Sequence, residues 1–216
     1  MKVTFRNHQH KGFTLIELLI VIAILGTLAG IAFPAYMSVQ TNAARSAAKK
    51  VCTDIVEGCT RFGQDNNGLM PYDPNEVRAD NNEQIFLTTV AGKDAKMIEI
   101  LTNREEGDER FNSTRDTYLR SDEQEKRADG LYVDDSGKVS FYDPWGQPYY
   151  VVLCEEDKGC VDPFVSKKRM RGKNCVAYST GPDQVGVAGG HAGRGKGASK
   201  DDSTVADNVY SWKKEK

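Results

Sequence analysis

One carboxylate stands where a carboxylate is costly. Residues 13–36 read FTLIELLIVIAILGTLAGIAFPAY, an apolar stretch with one charge, Glu17, and an acid in a bilayer costs about 2.5–3.5 kcal/mol at the centre of a span and less near its ends. Two readings of Glu17 follow. It is an interfacial acid at a helix start, where it complements the helix dipole. Alternatively, an amine from a neighbouring copy neutralises it on assembly, and its burial then sets the register of the packed helices. Cleavage after Gly12 would supply that amine, because Phe13 would then carry a new α-amino group.

The other reactive side chains point away from catalysis. His8 and His10 fall in the first twelve residues and His191 stands far from both, so no histidine triad or cluster is formed once a leader is removed. Residues 190–196 imitate a phosphate-binding loop, but Gly197 follows where the motif needs Ser or Thr for magnesium. No GxSxG, HExxH or paired-carboxylate arrangement stands in a supporting context, and enzymatic activity is not expected. Five cysteines, Cys52, Cys59, Cys154, Cys160 and Cys175, include no CxxC pair of zinc-binding spacing. In an exported domain one or two disulfides are expected, Cys154 with Cys160 being the favoured pair, with at least one thiol left over. Cys52 and Cys59 lie seven residues apart, roughly 10 Å along one helix, too far to bridge each other.

The elements that carry these residues can be read from the hydropathy pattern. The segment 13–36 has the length of one bilayer span. A secretory signal ends on its small-residue cleavage site after the apolar run; here Gly12 precedes the run, behind a leader carrying Lys2, Arg6 and Lys11 and no acid. Cutting there keeps the anchor. Beyond it, Val39, Ala43, Ala47, Val51, Ile55 and Cys59 recur every four residues, with Phe62 beside them, which predicts an amphipathic continuation of the helix to about residue 65. Between 66 and 129 the chain is polar and rich in turns, with two short helical patterns at 83–90 and 94–101 and a mixed-charge run at 104–126 that reads as a solvated loop or helix face. Strand signals at 131–133, 138–142, 149–154 and 175–179 predict an antiparallel meander, with the rigid turn DPWGQP at 143–148 inside it.

Gly12-Phe13-Thr14-Leu15-Ile16-Glu17 and the apolar run after it resemble the class III signal of type IV pilins and pseudopilins. The resemblance implies an α+β fold, a long N-terminal helix packed on a small antiparallel sheet with a C-terminal loop region. It also implies that a prepilin peptidase cuts after Gly12 and methylates Phe13, that Glu17 serves assembly, and that Pro34 bends or loosens the helix. Asp143 to Tyr149, DPWGQPY, is similar to the signature of the major pseudopilin of type II secretion systems. So is the C-terminal order Tyr178-Ser179-Thr180-Gly181-Pro182-Asp183, a glycine-rich stretch, then Ala206-Asp207-Asn208-Val209-Tyr210-Ser211-Trp212. In that subfamily the C-terminal loop binds calcium through aspartates and backbone carbonyls, which suits a cation that takes about six to eight oxygens. Carried over, the ligands are Asp183, Asp207 and Asn208, with the carbonyls of Thr180 and Val185. Asn208 replaces a usual aspartate, and the stretch between Asp183 and Asp207 is longer than the subfamily's.

The organisation so implied is a leader at 1–12, a transmembrane and assembly helix at 13–36, its amphipathic continuation at 37–65 and a periplasmic globular region at 66–216, anchored by a single pass in a bacterial inner membrane. A formal charge of −2 in 216 residues gives no reason to expect nucleic acid as a partner. The expected partners are copies of the chain in a filament, the prepilin peptidase, an inner-membrane assembly platform and minor pseudopilins. The leading function is a subunit of a type II secretion pseudopilus that drives protein export through the outer membrane. The alternatives are a type IV pilus pilin for adhesion, motility or DNA uptake, and a monomeric binding protein tethered by its helix, for which Glu17 would be dispensable.

Overall fold

In the computed structural model, the apolar run and the amphipathic segment after it form one helix of 51 residues, α1 (Leu15–Asp65), which continues through Pro34. The structure describes residues 13–75, 77, 79, 84–90, 96–107, 110–154, 159–165, 168–188 and 207–212. Two units divide the chain, Met1–Ala43 and Ala44–Lys216. In the first, α1 is long and apolar enough to cross a membrane, and none of its apolar window is buried. The helix ends where Asn67 and Gly68 take positive φ of 56° and 80° and the Gly68 amide donates to the Gly63 carbonyl at 2.7 Å. Glycine reaches that conformation without steric cost.

In the second unit α1 buries Ala48, Cys52, Ile55, Cys59 and Phe62. These steps alternate four and three residues, as a helix of 3.6 residues per turn requires. The strict four-residue stripe drifts off this face: Val51 is half-buried and Val39 is exposed.

After α1 come β1 (Gln84–Thr88), α2 (Lys96–Leu101), β2 (Gly130–Val133), β3 (Val139–Tyr142), β4 (Tyr150–Cys154), β5 (Cys160–Val161), β6 (Arg169–Met170), β7 (Cys175–Ser179) and β8 (Val209–Tyr210). The main sheet has the order β1-β4-β7-β8, antiparallel throughout. Successive strand residues face opposite ways. Leu87, Val151, Leu153, Cys175 and Ala177 therefore join the buried face of α1 in the main core, while Val152, Cys154, Val176 and Tyr178 pack in clusters on the other side. The result is an α+β architecture, a long apolar N-terminal helix followed by a small antiparallel sheet, consistent with the type IV pilin fold.

Three local expectations are corrected. The helical pattern at 83–90 is β1, paired with β4 from Gln84↔Cys154 to Thr88↔Tyr150. Ile85, Phe86 and Leu87 form an apolar run too short to distinguish the two periods, and the partner strand decides. The strands are not one meander: β2 and β3 form a separate hairpin, as do β5 and β6, and β1 arrives from the polar middle region as an edge strand. The charged run at 104–126 is more than a solvated face, because Tyr118 and Leu119 are buried in the main core. The Tyr118 ring meets Phe62 edge-on at 5.4 Å, and the Tyr118 and Leu119 amides both donate to the Leu101 carbonyl, at 2.8 and 2.9 Å. Glu105 holds the loop by accepting the Phe111 and Asn112 amides, each at 2.9 Å.

Candidate functional site

At the start of α1, Thr14 and Glu17 bind each other reciprocally. The Thr14 amide donates to Glu17 Oε2 at 2.9 Å, the Thr14 hydroxyl donates to the same oxygen at 2.6 Å, and the Glu17 amide donates to Thr14 Oγ1 at 3.3 Å. This is a capping box, which satisfies amides that a helix start leaves without partners. Thr-x-x-Glu at 14–17 is its sequence signal, masked by the apolar run that surrounds it. Glu17 therefore has a local role in the single chain and a carboxylate held at the helix start, where an amine could approach. Phe13 is exposed. Gly12 lies outside the described residues.

In the second unit the turn at 143–148 is built around Asp143, which is fully buried. Its Oδ1 accepts the Trp145 amide at 3.0 Å and the Gln147 amide at 2.8 Å, and its backbone amide donates to the Gln147 carbonyl at 2.8 Å. Gly146 closes the turn at φ 82°. Oδ2 points the other way and accepts the Ser179 hydroxyl at 2.6 Å. Burial raises the Asp143 pKa, opposed by the hydrogen bonds from Ser179, Gln147, Trp145 and Gly146.

Ser179 ends β7 and hands this arrangement to the next loop. Its Oγ accepts the Gly181 amide at 3.0 Å. Gly181 has φ 78°, and a Cβ there would collide with the Asp207 carbonyl oxygen, so the close approach of the two segments needs a glycine. The Asp183 amide then donates to Asp207 Oδ2 at 3.2 Å, and the Val185 amide to Asp183 Oδ1 at 3.0 Å. Gln184, at φ 60°, spans back to the turn, donating to the Trp145 carbonyl at 3.1 Å and accepting from Gln147 Nε2 at 3.1 Å. Ser179 stands inside the quoted order at 178–183 and Gln184 follows it, but no sequence signal marks either as a bridge, and only the fold makes them so.

Asp183 and Asp207 are thus side by side, 24 residues apart in sequence. Burial raises the Asp207 pKa, and the Asp183 charge adds to it, against the Asp183 amide that donates to the carboxylate. Asn208 gives its amide hydrogen to the Gly186 carbonyl at 2.9 Å, leaving its buried Oδ1 without a hydrogen-bond partner. Thr180 Oγ1 is likewise buried and unpartnered. Among the described residues no group of three His, Cys, Asp or Glu side chains converges. Two carboxylates with neutral side-chain and backbone oxygens fit a hard, oxygen-seeking cation and do not fit a zinc site. The glycine-rich stretch and the phosphate-loop imitation at 190–196 lie outside the described residues.

Residues 7–33 match the family described as "Prokaryotic N-terminal methylation motif". The chain is 49% identical over 49 residues to the "Type IV major pilin protein PilA" of Myxococcus xanthus (strain DK1622), covering 23% of this chain and 22% of that protein. It is 43% identical over 67 residues to the "Type IV major pilin protein PilE" of Neisseria gonorrhoeae, covering 31% and 40%, and 42% identical over 86 residues to "Fimbrial protein Q" of Moraxella bovis, covering 39% and 52%. The chain therefore spans from about a fifth to about half of the length of these relatives. No solved structure matches it. The motif and these relatives support a type IV pilin-like family for the chain.

Proposed function

We propose that the chain is a structural subunit of a membrane-anchored filament, specifically of a type II secretion pseudopilus. A helix whose apolar window is unburied in the single chain, with one carboxylate at its start, carries the filament reading. A membrane and the helices of other copies would cover that surface. A prepilin peptidase would cut after Gly12, and the Phe13 amine of a neighbour would then compete with Thr14 for Glu17. The chain would sit in the inner membrane with 66–216 in the periplasm, assembling on an inner-membrane platform with minor pseudopilins.

The pseudopilus reading is supported by the hydrogen-bonded link between the turn at 143–148 and the loop that holds Asp183 beside Asp207. Asp183, Asp207, Asn208 and the Thr180 and Val185 carbonyls would hold calcium there, and the ion would neutralise the paired carboxylates. The names of the relatives favour a second reading, a type IV pilus subunit. Deleting the gene and assaying export separates the two. A secreted enzyme trapped in the periplasm, with surface pili unchanged, supports the pseudopilus; lost pili with normal export supports the pilus.

A further inference from the structure

Cys154 and Cys160 are joined by a disulfide, and Cys52, Cys59 and Cys175 are buried thiols. Cys59 lies on the buried face of α1. Cys175 begins β7, and strand alternation sends Cys175 and Ala177 into the core that contains Cys59, with Val176 and Tyr178 on the other side. The two thiols line one small cavity with Thr60, Gly63, Gln64 and Met70. The Cys59 thiol beside it, together with burial, holds the Cys175 thiol well above its ordinary pKa. Cys52 stands apart, facing Asp143 and the Ser179 backbone.

We propose that Cys59 and Cys175 form a second disulfide, which ties α1 to β7 and leaves Cys52 as the remaining thiol. The two S–H bonds break and one S–S bond forms, with the release of two protons and two electrons. The oxidant is a second disulfide, that of a thiol-exchange protein or of oxidised glutathione, and is reduced to two thiols by way of a mixed disulfide. In the folded chain both cysteines are almost fully covered, at 1% and 3% exposure. The exchange therefore takes place during folding, before α1 closes over the sheet. The position suits the purpose: Cys154–Cys160 spans six residues, whereas a bond from α1 to β7 restrains most of the second unit in the unfolded chain.

The full-length chain, unfolded with reductant and refolded in detergent in a glutathione redox buffer, would be acid-quenched, alkylated in denaturant and peptide-mapped by mass spectrometry. Linkage of Cys154 to Cys160 reports that the buffer is oxidising, and the potential is raised until that bond is complete. The expected result is one alkylated cysteine, Cys52, and a linked peptide pair containing Cys59 and Cys175. Alkylation of Cys52, Cys59 and Cys175 while Cys154–Cys160 is linked overturns the proposal, as does Cys175 linked to Cys52 or to a second chain. Cys52→Ser must keep the Cys59–Cys175 link, and loss of the link in that folded variant would also overturn it.

Discussion

Ser179 donates its hydroxyl hydrogen to Asp143 at 2.6 Å and accepts the Gly181 amide at 3.0 Å, so that one side chain joins the turn at 143–148 to the loop carrying Asp183. Both ends of the relay are buried. Removing the hydroxyl leaves a buried carboxylate oxygen and a backbone amide without partners, which costs about 1–3 kcal/mol. Ser179→Ala is expected to lower the unfolding free energy by that amount, seen as a lower urea midpoint with the slope unchanged, and an unaltered midpoint would show that the relay contributes nothing.

Asp143 makes stability depend on pH in a predictable direction. Its folded pKa is raised above 3.8 by burial, so the protonated form is favoured by folding. The associated stability is fully present below the unfolded value and lost as pH rises through the folded value. In chelator, the stability difference between wild type and Asp143→Asn should shift toward the wild type as pH falls through the raised pKa to about 3.8. Comparing denaturation midpoints of the two proteins across this window checks it, and a flat difference contradicts the raised pKa.

The buried anchor inside the charged run is open to a direct test. Tyr118 packs on Phe62, and its hydroxyl lies 2.8 Å from Thr114 Oγ1 and accepts from Asn66 Nδ2 at 3.4 Å. Tyr118→Ala should cost roughly 3–5 kcal/mol, the range for truncating a buried aromatic. Alanine at the exposed Arg120 should stay within about 0.5 kcal/mol. Equal, small effects in thermal melts would return the whole run to the solvent.

Glu17 separates a filament subunit from a tethered monomer. Glu17→Ala removes the carboxylate that Thr14 holds at the helix start and leaves the apolar run intact. Fractionation should find the variant in the membrane at wild-type level, while copy-to-copy cross-linking and sheared filaments fall at least tenfold. Wild-type filament yield would remove the acid from assembly.

The helix and the four strand signals at 131–133, 138–142, 149–154 and 175–179 were legible because each carries a period or a bounding turn that needs no distant partner. Strand β1 was not, because Gln84–Thr88 has apolar residues at three successive positions and only β4 fixes its faces. Tyr118 was hidden by its charged neighbours, since burial there depends on α1 and α2 meeting the loop. At the candidate cation site the acidic pair could be carried over from a resemblance, but the bridges through Ser179 and Gln184 exist only once β7 and the turn are neighbours.

That coupling shapes the calcium prediction. Asp183 and Asp207 repel each other beside unpartnered oxygens of Thr180 and Asn208, and a bound cation would relieve the repulsion. A ligand that binds only the folded state stabilises it, by about 2.7 kcal/mol at a hundredfold excess over Kd. Millimolar calcium should therefore raise the thermal midpoint relative to chelator, and Asp183→Ala with Asp207→Ala should abolish the rise. Ser179→Ala should weaken it, because the relay sets the position of Gly181 and with it the approach to Asp207. Protons compete for the same carboxylate. Since the Asp207 pKa is raised above 3.8, the calcium-induced rise should shrink as pH falls through that raised value. An equal rise in the double alanine variant would place any calcium elsewhere on the molecule, and no rise in the wild type at neutral pH would remove the cation from this loop.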